Sequence, residues 1–296
     1  MSDDKNGCLI VDKPRGLSSF DVVRQVRRLG RTRKVGHTGT LDPEATGVLA
    51  IALGRCTKLS KYLMLDEKVY EFDVRFGEAT STDDVEGEVI RRASIEGIDE
   101  DAIESIMTRF QGTIEQVPPR YSAIKVDGKR AYERARAGEE FELDARPVRV
   151  DELKLRRWER PVATFWVRCG PGTYVRSMAR DMGEALSSAA HATRIRRLRV
   201  GPFDVDDAVA LESLDESGFW ESVTSPLEMM QSLGTLEVSA DEMEELRHGR
   251  PLYRGGTWRQ GEAVALRDEN SKLVAVAECT GEREGQLEIW PRRVMI

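Results

Sequence analysis

The segment richest in chemical potential is Gly36-His37-Thr38-Gly39-Thr40-Leu41-Asp42-Pro43-Glu44-Ala45-Thr46-Gly47-Val48-Leu49. It sets Asp42 at the centre of three glycines, a proline and three threonines. Glycine lets a backbone turn sharply or approach a ligand closely. Pro43 fixes its own φ and biases Asp42 towards an extended conformation. The polar loop runs straight into apolar Val48–Leu53, the way a rigid scaffold presents a reactive side chain. Asp42 could act as a nucleophile or base in a dry site. It could also cap its own backbone in an Asx turn. Glu44, two residues on, could complete a carboxylate pair of the glycoside-hydrolase kind, but nothing else in the loop resembles a sugar site.

A second group is cationic. Arg176 and Arg180 are four apart, so on a helix they share a face. An arginine in the first turn of a helix opposes the macrodipole, which predicts a nearby anion. Upstream of the Asp42 loop stand Arg24, Arg27, Arg28, Arg31, Arg33 and Lys34 with no acid between them, a composition suited to phosphate contacts.

The elements that must position these groups follow from periodicity. Cys8–Pro14 reads as a short buried strand ending at a turn. Ser18 or Ser19 can cap a helix bearing Val22, Val23, Val26 and Leu29 on one face. Val48–Met64 reads as a buried helix or strand–helix. In Val69–Phe76, Tyr70, Phe72, Val74 and Phe76 alternate with charged residues, predicting a half-buried strand. A tyrosine there is either core or a stacking surface for a base. A polar turn at Thr80–Gly87 precedes a helix at about 99–110. Residues 121–147 interleave bases with tyrosines, as where phosphates and unstacked bases are held. Strands follow at 149–158 and 163–169. Thr173 can cap a helix to about Leu186 with Tyr174, Met178 and Met182 in one stripe, and 194–199 reads as the edge of another strand. Short strands at 264–266, 273–277 and 287–289 predict a separate small β-rich unit.

The totals bound the function. The net charge of −7 is segregated: residues 83–104 carry −7, residues 204–245 carry −13, and the rest carries +13. A basic body with acidic lobes can still present a phosphate-binding face. No apolar run is long enough to span a membrane. The polar, acidic start Met1-Ser2-Asp3-Asp4-Lys5 is unlike a signal peptide. The four cysteines are scattered, with no CxxC, which predicts a reducing cytoplasm and no structural zinc. There is no P-loop, dinucleotide fingerprint, HExxH or nucleophile elbow.

Taken together, five motifs resemble the family of bacterial tRNA pseudouridine-55 synthases. They are Gly36–Pro43; Asp12-Lys13-Pro14 with Gly16 and Ser18-Ser19; Lys68-Val69-Tyr70-Glu71; Tyr121-Ser122-Ala123-Ile124-Lys125; and Gly172-Thr173-Tyr174-Val175-Arg176-Ser177. The resemblance covers essentially the whole chain in order. It implies an α/β fold with a mixed, largely antiparallel sheet flanked by helices in residues 1–236. A thumb insertion at about 121–147 closes on RNA, and a PUA-like RNA-binding domain occupies 237–296. It implies Asp42 as catalytic carboxylate, Tyr70 stacked on the target base, Arg176 paired with Asp42 and Ile195 packed on the base. Lys13, His37 and Tyr174 would bind substrate. The implied partner is the T-arm stem-loop of tRNA, with no cofactor, no metal, no guide RNA and no membrane, for a cytoplasmic monomer. Two relatives of that reading stay open: the guide-RNA-dependent synthases, which share the catalytic loop but lack the long thumb, and a catalytically idle RNA-binding protein.

Overall fold

The computed structural model describes residues 5–296, so most of the polar N-terminal segment lies outside the described residues. A large mixed sheet forms the body. Its order from one edge is Val209–Ala210, Gly7–Lys13, Thr46–Leu53, Ala190–Val200, Lys68–Phe76, Val162–Cys169, Arg146–Glu159 and Gly112–Gln116. Along this path only two pairings are parallel: Gly7–Lys13 with Val209–Ala210, and Thr46–Leu53 with Ala190–Val200. The others are antiparallel, as expected from the sequence.

One face of this sheet is apolar. Tyr70, Phe72, Val74 and Phe76 point into a core with Phe165 and Val167, Val22, Val23 and Val26 of helix Ser19–Leu29, and Met178 and Met182 of helix Val175–Ala185. The alternating residues Glu71 and Asp73 lie on the other face, where Arg194 pairs with both. Ser18 caps the first helix in a reciprocal capping box with Asp21, one of the two serines the sequence offered.

Residues 194–199 form the second half of the long strand Ala190–Val200, so they lie in a strand as expected, and that strand is in the middle of the sheet. Within it Arg197 is buried and hydrogen-bonded to backbone carbonyls. One element differs from expectation. Thr173 does not cap the following helix. Its hydroxyl donates to the Gly170 carbonyl, and Tyr174 takes the cap position without a side-chain bond. Gln116 holds the cap residue's own backbone instead: its Oε1 accepts from the Tyr174 N–H at 2.8 Å, and its Nε2 donates to the Tyr174 carbonyl at 3.0 Å.

A second sheet of five strands has the order Gly234–Glu237, Ala263–Arg267, Leu273–Arg283, Gln286–Val294 and Leu252–Arg254. The predicted short strands at 264–266, 273–277 and 287–289 lie within the three longest. The division drawn at 236/237 falls inside Gly234–Glu237, whose parallel partner is Ala263–Arg267. This sheet is not free of the body. Ala265, Leu273 and Val276 share a buried cluster with Cys8, Ile10, Val48 and Ala50, on the face of the large sheet away from the first helix.

Candidate active site

The loop after Val35–His37 is pinned from several sides, so the position of Asp42 is set by tertiary contacts as much as by its own glycines. Leu41 and Ala45 are buried in the core. Ser19 Oγ donates to the Leu41 carbonyl at 2.9 Å and accepts from its N–H at 2.8 Å. Gly16 N–H donates to the Pro43 carbonyl at 2.9 Å. Arg197 Nη2 donates to the Gly39 carbonyl at 3.1 Å, and Nε to the Val48 carbonyl at 2.7 Å.

The Asp42 carboxylate does not cap its own backbone. It faces Arg176, whose Nε lies 2.9 Å from Oδ2 and whose Nη2 donates to Oδ1 at 3.2 Å. This two-pronged pairing gives both energy and orientation. Arg176 is almost fully buried, and its remaining donors go to the Thr82 and Tyr121 carbonyls, each at 3.0 Å. Asp84 Oδ2 stands 3.5 Å from its Nη1. The anion predicted for an arginine in a first helical turn is therefore a pair of carboxylates. Burial pushes the Asp42 carboxyl above its ordinary value; the Arg176 guanidinium opposes this and Asp84 adds to it. Such a carboxylate is a stronger base than an exposed one, yet the arginine keeps the ionised form accessible.

Asp42, Asp84, Val85, Ala192 and Ile195 line one small crevice together with Glu44. Ile195 sits opposite Phe72 in the sheet, and Arg197 opposite Tyr70. Tyr70 is buried and its hydroxyl is pushed up in pKa by that burial, so it is neutral at physiological pH. Asp42, Arg176 and Ile195 thus meet as expected, with Tyr70 within electrostatic reach of Asp42. Glu44 pairs with Arg15 and makes no partnership with Asp42.

Three expected contact residues take other places. Lys13 is wholly buried, and its ammonium donates to the carbonyls of Pro14 (3.0 Å), Leu17 (2.6 Å) and Pro43 (3.0 Å). It fastens the residue after Asp42, and burial lowers its pKa to about 8. His37 is half-buried with Nδ1 unpartnered, and burial lowers its pKa, so the ring is neutral and has a free nitrogen. Tyr174 lies beneath the Arg146 guanidinium, 5.2 Å from ring centre to cation.

Sequence reading missed the turn Thr80–Gly87, which it left as a polar connector. Asp84 is buried there, and its Oδ1 accepts from the Thr82 hydroxyl and, at 2.9 Å, from the Glu86 N–H. The available signal was two adjacent aspartates in a turn that opens with three hydroxyl residues. It also missed Arg197, hidden in a run of four arginines.

A profile of the TruB family of pseudouridylate synthases, N-terminal domain, matches residues 27–175. A profile of the tRNA pseudouridylate synthase B C-terminal domain matches 176–237. The chain belongs to the TruB family. Its members are isomerases, and this chain is one of them. It is 44% identical over 283 residues to the tRNA pseudouridine synthase B of Thermobifida fusca, covering 92% of this chain and 94% of that one. It is 48% identical over 247 residues to the protein of the same name from Roseobacter denitrificans, covering 82% and 78%. Among solved structures, a Cbf5–Nop10–Gar1 complex matches with a TM-score of 0.77 at 24% identity, over 98% of this chain and 85% of that one. An H/ACA ribonucleoprotein bound to a substrate RNA matches with 0.76 at 22%, again over 98% and 85%. At that identity these two show the shared fold alone.

Proposed function

We propose that this chain is a stand-alone tRNA pseudouridine synthase that isomerises uridine 55 in the T-arm, with Asp42 as the catalytic carboxylate. The observation that carries this is the two-pronged Arg176–Asp42 pair at a crevice also lined by Ile195, in a chain of the TruB family.

The isomerisation breaks the C1′–N1 bond, turns the uracil and joins C5 to C1′; the hydrogen on C5 is lost and N1 gains one. No net oxidation or phosphoryl transfer occurs. Asp42 either attacks C1′ or removes a sugar proton to give a glycal-like intermediate, and both routes need it ionised. Arg176 favours that form. The target base must leave its stack; Tyr70 replaces the lost stacking and Ile195 packs against the other side. His37, half-buried in the same motif as Asp42, contributes to substrate binding. Lys13 and Tyr174 support the site from behind, Lys13 by holding Pro43 and Tyr174 at the root of the helix that carries Arg176.

The thumb, residues 121–147, carries a short hairpin, Lys125–Val126 with Lys129–Arg130, and helix Ala131–Arg136. Its aromatic rings are already flanked by cations: Arg120 and Arg134 lie over Phe141, and Arg130 and Arg136 over Tyr132. Such pairs suit the binding of phosphates beside bases. We assign the body built on the large sheet to catalysis and the five-stranded sheet, which begins at Gly234 rather than at 237, to a PUA-like RNA-binding unit of a cytoplasmic monomer.

The test is pseudouridine formation on an unmodified tRNA transcript with purified protein, no guide RNA and no added metal. Product confined to position 55 supports the reading. Tight tRNA binding without product would favour a guide-dependent enzyme or an idle RNA-binding protein instead.

A further inference from the structure

Arg180 lies one helical turn beyond Arg176 and has no part in the reaction as derived above. Its guanidinium nonetheless makes three directed bonds. Nη1 donates to Asp83 Oδ2 at 3.0 Å, Nη2 to the Val117 carbonyl at 2.8 Å and Nε to Asp181 Oδ1 at 2.8 Å. Each partner sits at a junction. Asp83 holds a left-handed backbone, φ +61°, and its carbonyl accepts from the Ala192 N–H at 3.0 Å. Aspartate tolerates that conformation better than most non-glycine residues, and here the bonds on both its carboxylate and its carbonyl hold it. The next residue is Asp84, whose carboxylate faces Arg176. Val117 opens the segment leading into the thumb, and its carbonyl also accepts from Ser177 Oγ at 2.8 Å. At the far end of that segment the Tyr121 carbonyl accepts from Arg176.

Two arginines one turn apart therefore grip both ends of the thumb's root and two adjacent aspartates of one turn. We infer that Arg180 is a positioning residue that couples the seating of the thumb to the Asp42–Arg176 pair. This rests on the pseudouridine synthase reading and deepens it. A displacement of the thumb's root on RNA binding pulls on Arg180 at Val117. Arg180 transmits it to Asp83, and so to Asp84 and the geometry with which Arg176 holds Asp42. Asp181 Oδ1 lies 2.8 Å from both Nε and Nη2 and so fixes the plane of the guanidinium, with Nη1 directed at Asp83 and Nη2 shared between Asp181 and the Val117 carbonyl. A lysine places its donors on one nitrogen without a planar fork, so it cannot reproduce the fixed spread of Nη1 and Nη2 between these partners.

The full-length wild type, R180A and R180K are compared on an unmodified tRNA transcript by single-turnover rate at saturating enzyme, by RNA affinity and by thermal unfolding. R180A is expected to lose about tenfold or more in rate on bound RNA, as displaced catalytic groups do, while affinity changes little. R180K should be intermediate. Free guanidinium ion should restore part of the rate to R180A and none to wild type. D83N should reproduce the loss, and the double variant R180A/D83N should be no slower than R180A alone. A folded R180A with wild-type rate on bound RNA overturns the inference, as does a parallel fall in rate and affinity without guanidinium rescue. If R180A does not fold, D83N decides: a wild-type rate overturns the coupling. A wild-type protein that forms no pseudouridine overturns the reaction itself, whereas an active wild type beside an unimpaired R180A removes only the role of Arg180.

Discussion

Gly47→Ala is expected to damage both stability and turnover, although Gly47 touches no reacting atom. Gly47 sits between two strands, opposite Lys13 on one side and Arg197 on the other. Its φ is +100°, and a Cβ added there would lie 2.1 Å from the Arg197 carbonyl oxygen and 2.8 Å from its nitrogen. Both are backbone atoms in a central strand, so neither can swing aside. The strained dihedral costs about 1–3 kcal/mol, and forcing the strands apart costs roughly 1–3 kcal/mol more. A total of about 2–6 kcal/mol corresponds to a fall in melting temperature of roughly 4–12 °C at ~2 °C per kcal/mol for a chain of this length. The displaced neighbours also hold the Asp42 loop, Arg197 through Gly39 and Val48 and Lys13 through Pro43. The rate on bound RNA should therefore fall even at temperatures where the variant is folded. The control is Gly36→Ala in the same motif: its Cβ would meet nothing within 4 Å, and its φ is not in the left-handed region. Circular dichroism melting and single-turnover assays read both variants. Equal and small shifts for the two would refute the steric reasoning.

Asp42→Asn should abolish turnover while RNA affinity stays near wild type. Because burial raises the Asp42 pKa and the reaction needs the carboxylate ionised, activity is lost as pH falls through a value above the ordinary 3.8 of aspartate. Arg176→Met removes the opposing cation and should move that acid limb to still higher pH; a limb unchanged in the variant would separate the two groups. Deleting residues 237–296 strips the partners of Cys8, Ile10 and Val48 from a shared cluster and removes the strand that pairs with Gly234–Glu237. The truncated protein should melt earlier, so substitutions at exposed Trp290 and Arg293 are the cleaner probe of RNA binding by that unit. RNA affinity should fall steeply with salt, since Arg27, Arg28, Arg33 and Lys34, on the first helix and its exit, stay exposed; a flat response would remove phosphate contacts from the account.

The helix Ser19–Leu29, the strand Lys68–Phe76 and the pair 146–159 and 162–169 were legible because each carries its own period and stop signals. The Asp42 loop was legible from its unusual residues, and its partnership with Arg176 through the family resemblance. What stayed hidden was whatever depends on distant segments meeting. The place of Ala190–Val200 in the middle of the sheet is one such case, with Arg197 spending its donors on the Gly39 and Val48 carbonyls. Of the six upstream bases, Arg24 and Arg31 are paired, with Asp21 and with Glu216 far along the chain. Lys13 is a fastener of carbonyls, which no spacing along the sequence reveals.

By itself the sequence determined most element types, the candidate carboxylate and the family, since these reside in local periodicity and in motifs read in order. Only the tertiary structure decided which charges neutralise which. Asp84, a residue of a plain polar turn, becomes a second carboxylate on Arg176. Arg180 bridges that turn to the thumb's root, and the C-terminal sheet shares its core with the catalytic one. The physical reason is that a carboxylate or guanidinium has no preferred partner along the chain. Its partner is set by which groups folding brings within about 3 Å after water is removed.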